Sequence, residues 1–320
     1  MQPVDDLRAF ALPMRQRFRG IMVRTGVLLH GPAGWGEFSP FPEYGPVYAS
    51  RWLAAAQEAA TLPFPTAVRD RVPVNTTVPA VDAATAHRLV AASGCRTAKV
   101  KVAEAGQDLA ADVERVSAVR DALGPSGHIR VDANAAWDVA TAVLAIARLD
   151  TAAGGLEYVE QPCRTLEELR EVRGRVEVPL AADESVRTAE DPLRIAGLDA
   201  ADIVVIKVQP LGGIHRAMEV VDAAGLPAVV SSALESSVGL AAGVALAAAL
   251  PELPYACGLG TASLLAADVT DRPLEPRDGH LEVRRAVPDP ALLDQCAPDA
   301  DTTAELLERM SLAAAHLGDR

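Results

Sequence analysis

The fold is decided by the stretch from Thr97 to Lys207, which contains five short runs. They are Thr97-Ala98-Lys99-Val100-Lys101, Ile129-Arg130-Val131-Asp132, Leu156-Glu157-Tyr158-Val159-Glu160, Leu180-Ala181-Ala182-Asp183 and Ile203-Val204-Val205-Ile206-Lys207. The three central runs each end in a carboxylate, and a lysine-bearing run stands on each side of them. Because burying an unpaired charge is costly, charges at the ends of apolar strands need partners. A divalent metal ion held by three carboxylates between two lysines would supply those partners.

The five runs belong to a series of eight β-type runs with regular spacing. The eight are Val72–Val78, Thr97–Val102, His128–Ala133, Leu156–Gln161, Pro179–Glu184, Asp202–Val208, Leu226–Ser232 and Leu253–Gly258. Successive strand ends from Lys101 to Ser231 lie 23 to 31 residues apart, which fits one strand, one helix and two short loops. Most runs are continuous in Val, Ile and Leu, as expected for parallel strands covered on both faces.

Eight such units predict an α/β fold of the TIM-barrel type, and a doubly wound open sheet is the main alternative. The barrel is favoured because polar residues recur at strand end after strand end, whereas an open sheet concentrates them at one switch point. Helices are predicted from Asp108, over Ile214–Ala224 and over the apolar segment Val238–Leu250. Thr188 is predicted to cap a helix over residues 189–196.

The two ends of the chain differ from this pattern, so we predict three parts. Residues 1–70 form a small α+β unit, with strand, turn and strand over Ile21–Leu29 and a helix that begins after Ser50. Residues 71–267 form the barrel. Residues 268–320 hold a strand near Leu281 and a final helix from about Asp301, and they return to pack on the N-terminal unit.

Composition narrows the class of protein. The formal net charge of −13 argues against nucleic-acid or membrane partners, because both need clustered Lys and Arg. A small-molecule carboxylate is still allowed, since a metal ion or a lysine pair can reverse the sign inside a pocket. The four cysteines are widely spaced and are predicted to be buried free thiols. The first twenty residues lack the apolar run of a signal peptide, so we predict a cytoplasmic enzyme.

The strand-end carboxylates Asp132, Glu160 and Asp183 are predicted to bind Mg²⁺, because this ion takes oxygen ligands and no His or Cys lies at these ends. Lys101, nearer its strand end than Lys99, is the predicted catalytic base, since a second cation and a metal lower the pKa of a lysine. Lys207 is the predicted second cation. The chemistry would be proton abstraction beside a carboxylate, with the metal stabilising an enediolate.

Four further residues are predicted to bind substrate, each with a structural alternative. Arg130 either binds a substrate carboxylate or is a structural ion-pair partner. Ser231, Ser232 and Ser236 lie at and after the seventh strand, where backbone N–H groups of a helix start could hold an anion. A plain helix N-cap explains the serines equally well.

At these residues the chain resembles the enolase superfamily, whose Lys bases act with Mg²⁺. The matching pieces are Lys99-Val100-Lys101, Asp132-Ala133-Asn134 with Trp137, Glu160-Gln161-Pro162, Asp183-Glu184-Ser185, and Ile206-Lys207 with Leu211-Gly212-Gly213. Lysines on both sides of the metal are typical of the muconate-lactonising-enzyme-like subgroup. Within it, the segments Gly34–Pro40 and Ser231–Gly239 resemble those of the ortho-succinylbenzoate synthase family of menaquinone biosynthesis.

The resemblance implies a (β/α)₇β barrel with an α+β cap built from both termini. It implies that Lys101 takes a proton from a succinylated hydroxycyclohexadiene carboxylate and then assists loss of hydroxide from the same face. Lys207 would face the other side of the ring as a cation, and Lys99 would orient a metal ligand or the enolate oxygen. Because little chain precedes Arg15, the cap loop over the pocket is predicted to be reduced.

The resemblance leaves two alternative functions open. The first is N-succinylamino-acid racemisation or dipeptide epimerisation, in which both lysines act as acid and base on opposite faces. The second is a non-catalytic barrel protein, which would have no need of all five charged residues.

Overall fold

The computed structural model describes residues 6–187 and 197–318. The strands are β1 Asp6–Phe18, β2 Ile21–Gly31, β3 Gly34–Phe38, β4 Arg71–Pro73, β5 Thr76–Val78, β6 Thr97–Lys101, β7 His128–Asp132, β8 Tyr158–Glu160, β9 Leu180–Ala182, β10 Ile203–Ile206, β11 Ala228–Val230 and β12 His280–Glu282. The helices are α1 Pro46–Thr61, α2 Ala83–Ser93, α3 Leu109–Leu123, α4 Val139–Ala153, α5 Leu166–Arg173, α6 Glu184–Arg187, α7 Val208–Leu211, α8 Ile214–Ala224, α9 Ser237–Ala249, α10 Pro290–Gln295 and α11 Ala300–Ala314, with a 3₁₀ helix over Gly260–Leu264. The helix predicted after Thr188 lies outside the described residues.

Seven parallel strands form one curved sheet in the order β11-β10-β9-β8-β7-β6-β5. The eighth predicted strand closes it, because the segment at Cys257 and Gly258 bonds to both edges of the sheet. Cys257 N donates to Pro73 O at 2.7 Å, and Gly258 N donates to Val230 O at 2.8 Å. The protein is therefore a TIM-like barrel, as predicted, and the open-sheet alternative is wrong.

The first predicted run divides into two strands. β4 pairs antiparallel with β12, and only β5 joins the barrel sheet beside β6. Pro73, which has no backbone N–H to donate, ends β4, and its carbonyl accepts from Cys257.

Side chains alternate between the outside and the inside of the barrel, as the period of two in a strand requires. Val100, Val131 and Val159 point outward and belong to the large apolar core under the helices. One inward-facing group is apolar, because Tyr158 packs with Ala181, Ile203, Val205 and Val229, but Lys99 and Arg130 lie in register with Tyr158. Toward the carboxyl ends of the strands the inward positions become charged.

The N-terminal cap is a three-stranded antiparallel sheet, β1-β2-β3, packed against α1. The turn predicted inside Ile21–Leu29 is wrong, because β2 runs straight through Gly26 and the true turn lies at Arg19 and Gly20. Gly26 serves close packing instead, since a Cβ there would lie 2.7 Å from the ring of Phe10.

Helix α1 begins earlier than predicted. Gly45 is its N-cap and Pro46 its first residue, so Ser50 lies inside the helix, where its hydroxyl donates to Val47 O. A proline at the first helical position already has the required φ angle, which explains the earlier start. β3 packs tightly on α1 at Gly36, because a Cβ there would lie only 1.9 Å from Ala56 O.

The C-terminal segment packs on the cap. Ala313 of α11 lies in the same core as Trp52 of α1, and Leu293 of α10 packs with Phe10 of β1. The domain boundaries at residues 70 and 267 stay a prediction. The four cysteines are free and buried, as predicted. Within the described ranges, no helix has the length and apolar character needed to cross a bilayer.

Two glutamates of the cap reach the N-termini of barrel helices. Glu58 on α1 accepts hydrogen bonds from Ile214 N at 2.5 Å and His215 N at 3.3 Å, at the start of α8. Glu37 on β3 accepts from Ser236 N at 3.2 Å and Gly239 N at 3.0 Å, at the start of α9. Helix N-termini carry unpaired N–H groups and a partial positive charge, so carboxylates stabilise them.

A second buried glutamate, Glu235, lies beside Glu37 and Arg24. Its carboxylate accepts a hydrogen bond from Ala233 N at 2.8 Å. Burial and the negative charge of Glu37 raise the pKa of Glu235 to about 7, despite the opposing effect of Arg24. The folded protein thus keeps a proton on Glu235 at pH values where the unfolded chain has released it. The contribution of Glu235 to stability therefore falls as the pH rises from about 4.5 through about 7.

We predict that Glu235→Gln flattens this pH dependence. Between about pH 5.5 and about pH 8.5, the free energy of unfolding of the wild type should fall by about 2 kcal/mol more than that of the variant. Urea unfolding at a series of pH values measures the difference. The control is Glu305→Gln on the exposed side of α11, which should keep the wild-type profile. Parallel profiles for Glu235→Gln and the wild type would contradict the prediction.

Candidate active site

The charged residues of strands β6 to β8 lie in register at the carboxyl end of the barrel. Lys101 on β6 pairs with Asp132 on β7, which in turn pairs with Glu160 on β8. Asp183 directly follows β9, and Lys207 directly follows β10. The five residues singled out in the sequence therefore meet at one end of the barrel, together with Lys99 one level below Lys101.

Every carboxylate in this group has a lysine partner. Lys99 Nζ lies 3.2 Å from Asp132 Oδ2 and 2.9 Å from Glu160 Oε1. Lys101 Nζ lies 2.5 Å from the same Asp132 oxygen, and Lys207 Nζ lies 2.5 Å from Asp183 Oδ2. All three carboxylates are at most 1% exposed. The ion pairs are thus shielded from water. Coulomb attraction is stronger in the protein interior than in water, so these contacts are strengthened.

The donor set fits a hard divalent cation, since three buried carboxylates on neighbouring strands offer only oxygen ligands. In this arrangement, however, no three Asp, Glu, His or Cys side chains of the described residues are gathered closely enough to hold a metal ion. The lysine ammonium groups supply the positive charge instead. The assignment of Asp132, Glu160 and Asp183 as metal ligands stays a prediction.

Burial and charge act differently on neighbouring groups of the site. Burial, together with the nearby Lys99 ammonium, lowers the pKa of Lys101 despite its contact with Asp132. Burial acts in the same direction on Lys99, but Glu160 and Asp132 outweigh it and raise that pKa. Burial and the charge of Asp132 raise the pKa of Glu160 to about 7. Two lysines on one strand thus differ in how readily they lose a proton.

The pocket above the lysines is closed by the cap. Phe18 and Arg19 at the β1–β2 turn line it together with Phe41, and the ring of Phe18 lies 5.7 Å from Lys101 Nζ. This tight turn reaches the pocket, and a reduction of the cap loop relative to longer relatives stays a prediction. The enclosed volume of about 30 Å³ is far below the ~300–1,000 Å³ of small-molecule sites. The roof formed by Phe18, Arg19 and Phe41 therefore leaves little free volume above the lysines.

Gln161 is a positioning residue to which sequence reasoning gave no role. Its side-chain oxygen accepts hydrogen bonds from Asp183 N at 2.9 Å and Ser185 N at 3.2 Å, and its amide nitrogen donates to Ser185 Oγ and Cys163 O. It lies in the left-handed region at φ 40°, which is uncommon for a residue other than glycine. The pairing of Gln161 with the next strand end holds Asp183 in place.

Asn134 is a second such residue. It also has positive φ, at 45°, and its Oδ1 accepts a hydrogen bond from Lys101 Nζ at 2.7 Å. Its own backbone N–H donates to Asp132 Oδ1 at 3.0 Å. Asn134 could have been found in the sequence, because it is a polar residue only two positions after the strand-end carboxylate Asp132.

Arg130 does not reach the pocket. It is fully buried inside the barrel below Asp132, where Nε lies 2.8 Å from Glu157 Oε2 and one terminal nitrogen donates to Tyr158 Oη and Ala256 O. The prediction that it binds a substrate carboxylate is therefore replaced by its structural alternative. The contacts with Glu157, Tyr158 and Ala256 hold its guanidinium inside the barrel, whereas Lys99, its register partner on β6, lines the pocket.

The serines separate into two groups. Ser231 and Ser232 line the pocket, and the hydroxyl of Ser232 lies 2.7 Å from Thr261 Oγ1. Ser236 does not: its hydroxyl caps α9 by accepting from Val238 N at 3.2 Å and donates to Glu37 Oε2 at 2.5 Å. The N–H groups at this helix start are already bonded within the protein: those of Ser236 and Gly239 to Glu37, that of Ser237 to Asp268, and that of Val238 to the Ser236 hydroxyl.

The chain contains only three lysines, and all three are in this site. Every other cationic side chain, histidine aside, is an arginine. Arginine stays protonated at any pH that a protein tolerates, whereas a lysine amine can lose its proton when it is desolvated. The exclusive use of lysine here indicates a site that needs an exchangeable proton, and this count was visible in the sequence.

Two family models match the chain. The Enolase C-terminal domain-like family matches residues 81–288, and the Enolase N-terminal domain-like family matches residues 9–60. The first range contains every predicted site residue, and the second contains most of the cap sheet.

Curated relatives match nearly the whole chain. It is 66% identical over 278 residues to the o-succinylbenzoate synthase of Thermobifida fusca, covering 87% of each chain. It is 57% identical over 291 residues to that of Mycolicibacterium smegmatis, covering 91% of this chain and 89% of the relative. A solved muconate lactonizing enzyme from Pseudomonas fluorescens shares the fold, with a TM-score of 0.78 at 23% identity over 93% of this chain and all of that one.

The three lysines can be observed one by one, because lysine labelled with ¹³C at Cε gives only three resonances. We predict that in the metal-free protein Lys101 loses its proton below the ordinary lysine pKa of 10.5 and Lys99 above it. The Cε shift followed against pH measures both midpoints. Lys99→Arg and Lys101→Arg assign the resonances. A midpoint for Lys101 at or above that of Lys99 would refute the electrostatic account of the pair.

Proposed function

Because the chain belongs to the o-succinylbenzoate synthase family of the enolase superfamily, we propose that its pocket dehydrates a succinylated hydroxycyclohexadiene carboxylate to 2-succinylbenzoate, in menaquinone biosynthesis. The enzyme class is that of a carbon–oxygen lyase. The substrate is a small anionic carboxylate, and a cytoplasmic location is part of the proposal.

The observation that carries the proposal is the placement of Lys101 and Lys207 on opposite sides of the buried cluster of three carboxylates. Lys101 pairs with Asp132 and Lys207 pairs with Asp183, with Glu160 on the strand between. A planar substrate ring above the carboxylates would have a lysine at each face. One lysine can then exchange a proton while the other remains a cation.

Lys101 is the proposed base because burial already favours its neutral amine. It would take the proton next to the substrate carboxylate, and the resulting ammonium would return a proton to the departing hydroxide on the same face. Lys207 would stay protonated and stabilise negative charge spread over the ring. Because the product is aromatic, the elimination is intrinsically favourable, and the protein mainly supplies orientation and charge.

Asp132, Glu160 and Asp183 are the residues proposed to hold Mg²⁺. When bound, the ion would supply positive charge to stabilise the electron density that develops on the substrate carboxylate. Lys99 donates to both Asp132 and Glu160, so its proposed role is to orient these two carboxylates. Ser231 and Ser232 are proposed to bind polar groups of the substrate with their hydroxyls.

The direct test is an assay of the wild type with the cyclohexadiene substrate and with N-succinyl amino acids, both in deuterated water. Dehydration to the aromatic product, with little α-deuterium exchange into the amino acids, is the expected result. Rapid racemisation without dehydration would replace the proposal by the racemase alternative. No turnover of either substrate would favour a non-catalytic barrel.

Lys101→Ala should lower kcat by about 10³-fold, because the proton transfer loses its base. The fold and Mg²⁺ binding should be retained, since Lys99 still neutralises Asp132 and Glu160. Steady-state kinetics and isothermal titration with MgCl₂ measure the two effects. Near wild-type kcat in this variant would show that Lys101 is not the base.

Asp183→Asn should weaken Mg²⁺ binding by about tenfold or more, because the site loses a charged oxygen ligand. Calorimetric titration of the variant measures this without any assay of turnover. Asp301→Asn on α11, exposed and remote from the barrel mouth, is the matched control and should bind as the wild type does. Equal affinity in Asp183→Asn and the control would remove Asp183 from the ligand set.

A further inference from the structure

A buried polar network in the cap forms hydrogen bonds with the chain segment that follows β11. Arg24 of β2 is 1% exposed, and its guanidinium donates to Leu234 O at 2.9 Å and Ala233 O at 3.1 Å. The same guanidinium donates to both oxygens of Ser39, with 3.0 Å to the hydroxyl. One side chain of the cap thus holds two successive carbonyls of the barrel loop.

Glu37 extends this network to the helix behind the loop. Ser39 Oγ donates to Glu37 Oε1 at 2.7 Å, and Glu37 accepts from the backbone of Ser236 and Gly239 at the start of α9. Arg24, Ser39 and Glu37 therefore form one continuous buried unit. It contacts the barrel from residue 233 to residue 239, so a shift of the cap sheet would move this whole segment.

The segment that this network binds is part of the pocket wall. Ser231, Ser232, Ala233 and Leu234 line the pocket beside Lys207. Leu234 has φ 64°, a left-handed conformation that side chains other than glycine adopt only when their surroundings enforce it. The hydrogen bond from Arg24 to the carbonyl of Leu234 is one contact that enforces it.

The cap has a second contact of the same kind that touches no pocket residue. Glu58 binds the N-terminal N–H groups of α8 at Ile214 and His215. Neither of these residues lines the pocket. The two glutamates thus join the same cap to the same barrel by the same chemistry. They differ in nearness to the pocket wall, because Ser236 comes two residues after pocket-lining Leu234, whereas Ile214 comes seven residues after pocket-lining Lys207.

We propose that Glu37 and Arg24 are positioning residues, through which the cap sets the geometry of the pocket wall at Ser231–Leu234 and thereby the affinity for substrate. The effect on affinity rests on the proposed function of the pocket. Glu37 and Arg24 contact neither the three lysines nor the strand-end carboxylates of the site. Substitutions at Glu37 and Arg24 should therefore have little effect on proton transfer by Lys101. Burial raises the pKa of Glu37 and lowers that of Arg24 to about 10, and the attraction between their opposite charges opposes both changes.

The test compares Glu37→Gln with Glu58→Gln, and Arg24→Lys serves as a second variant should Glu37→Gln fail to fold. For Glu37→Gln and Arg24→Lys we expect KM to rise about tenfold while kcat stays within about threefold of the wild type, because binding geometry and not proton transfer is disturbed. Glu58→Gln should lower the unfolding midpoint and leave KM unchanged.

Hydrogen exchange of residues 231–236 gives a readout independent of turnover. The N–H groups of Ser231 and Ser232 are bonded to Ile206 O and Gly258 O, and that of Ser236 to Glu37 itself. Exchange in this segment should be faster in Glu37→Gln than in the wild type or Glu58→Gln. If the wild type proves inactive on the cyclohexadiene substrate, the proposed function fails, and this exchange difference alone decides the positioning role.

Two results would overturn the proposal. Wild-type KM and wild-type exchange in both Glu37→Gln and Arg24→Lys would show that the network is only structural. An equal rise in KM for Glu58→Gln would show that any loosening of the cap weakens binding, with no special role for the segment after β11.

Discussion

The structure depends on charge compensation at the mouth of the barrel. Three carboxylates lie at the ends of neighbouring strands and are at most 1% exposed, so each would be strongly disfavoured without a positive partner. The lysines supply those partners, and the register of β6, β7 and β8 sets the distances. The same ion pairs fix Lys101 beside Asp132 and Lys207 beside Asp183, so the two lysines are held at opposite ends of the carboxylate cluster.

Much of the barrel could be predicted from sequence because a period of two along a strand and a regular spacing between strands are local signals. Asp132, Glu160 and Asp183 were found this way, since an apolar run that ends in a charge has few structural explanations. The cap was harder. A glycine such as Gly26 is typical of a turn, but here it makes room for the ring of Phe10, its partner on the neighbouring strand β1. Such a cross-strand contact leaves no mark on the local pattern.

The errors in the site have the same origin. Arg130 and Asp132 share a face of one strand, but Arg130 contacts Glu157, whereas Asp132 contacts Lys99 and Lys101. Ser236 was grouped with Ser231 by nearness in sequence, although its partner Glu37 lies 199 residues away. Depth and partners across the chain are properties of the folded protein. By contrast, the restriction of lysine to three positions needed only counting.

That restriction changes what a reagent can report. Lysine-directed acylation meets side-chain targets only inside the pocket, because the remaining cationic side chains are guanidinium or imidazole groups. Once acylation of the amino-terminal α-amine is subtracted, the extent of modification measures how often the roof formed by Phe18 and Arg19 is lifted. In most proteins lysine acylation reports on the whole surface, whereas in this chain the extent of lysine acylation reports on the opening of one pocket.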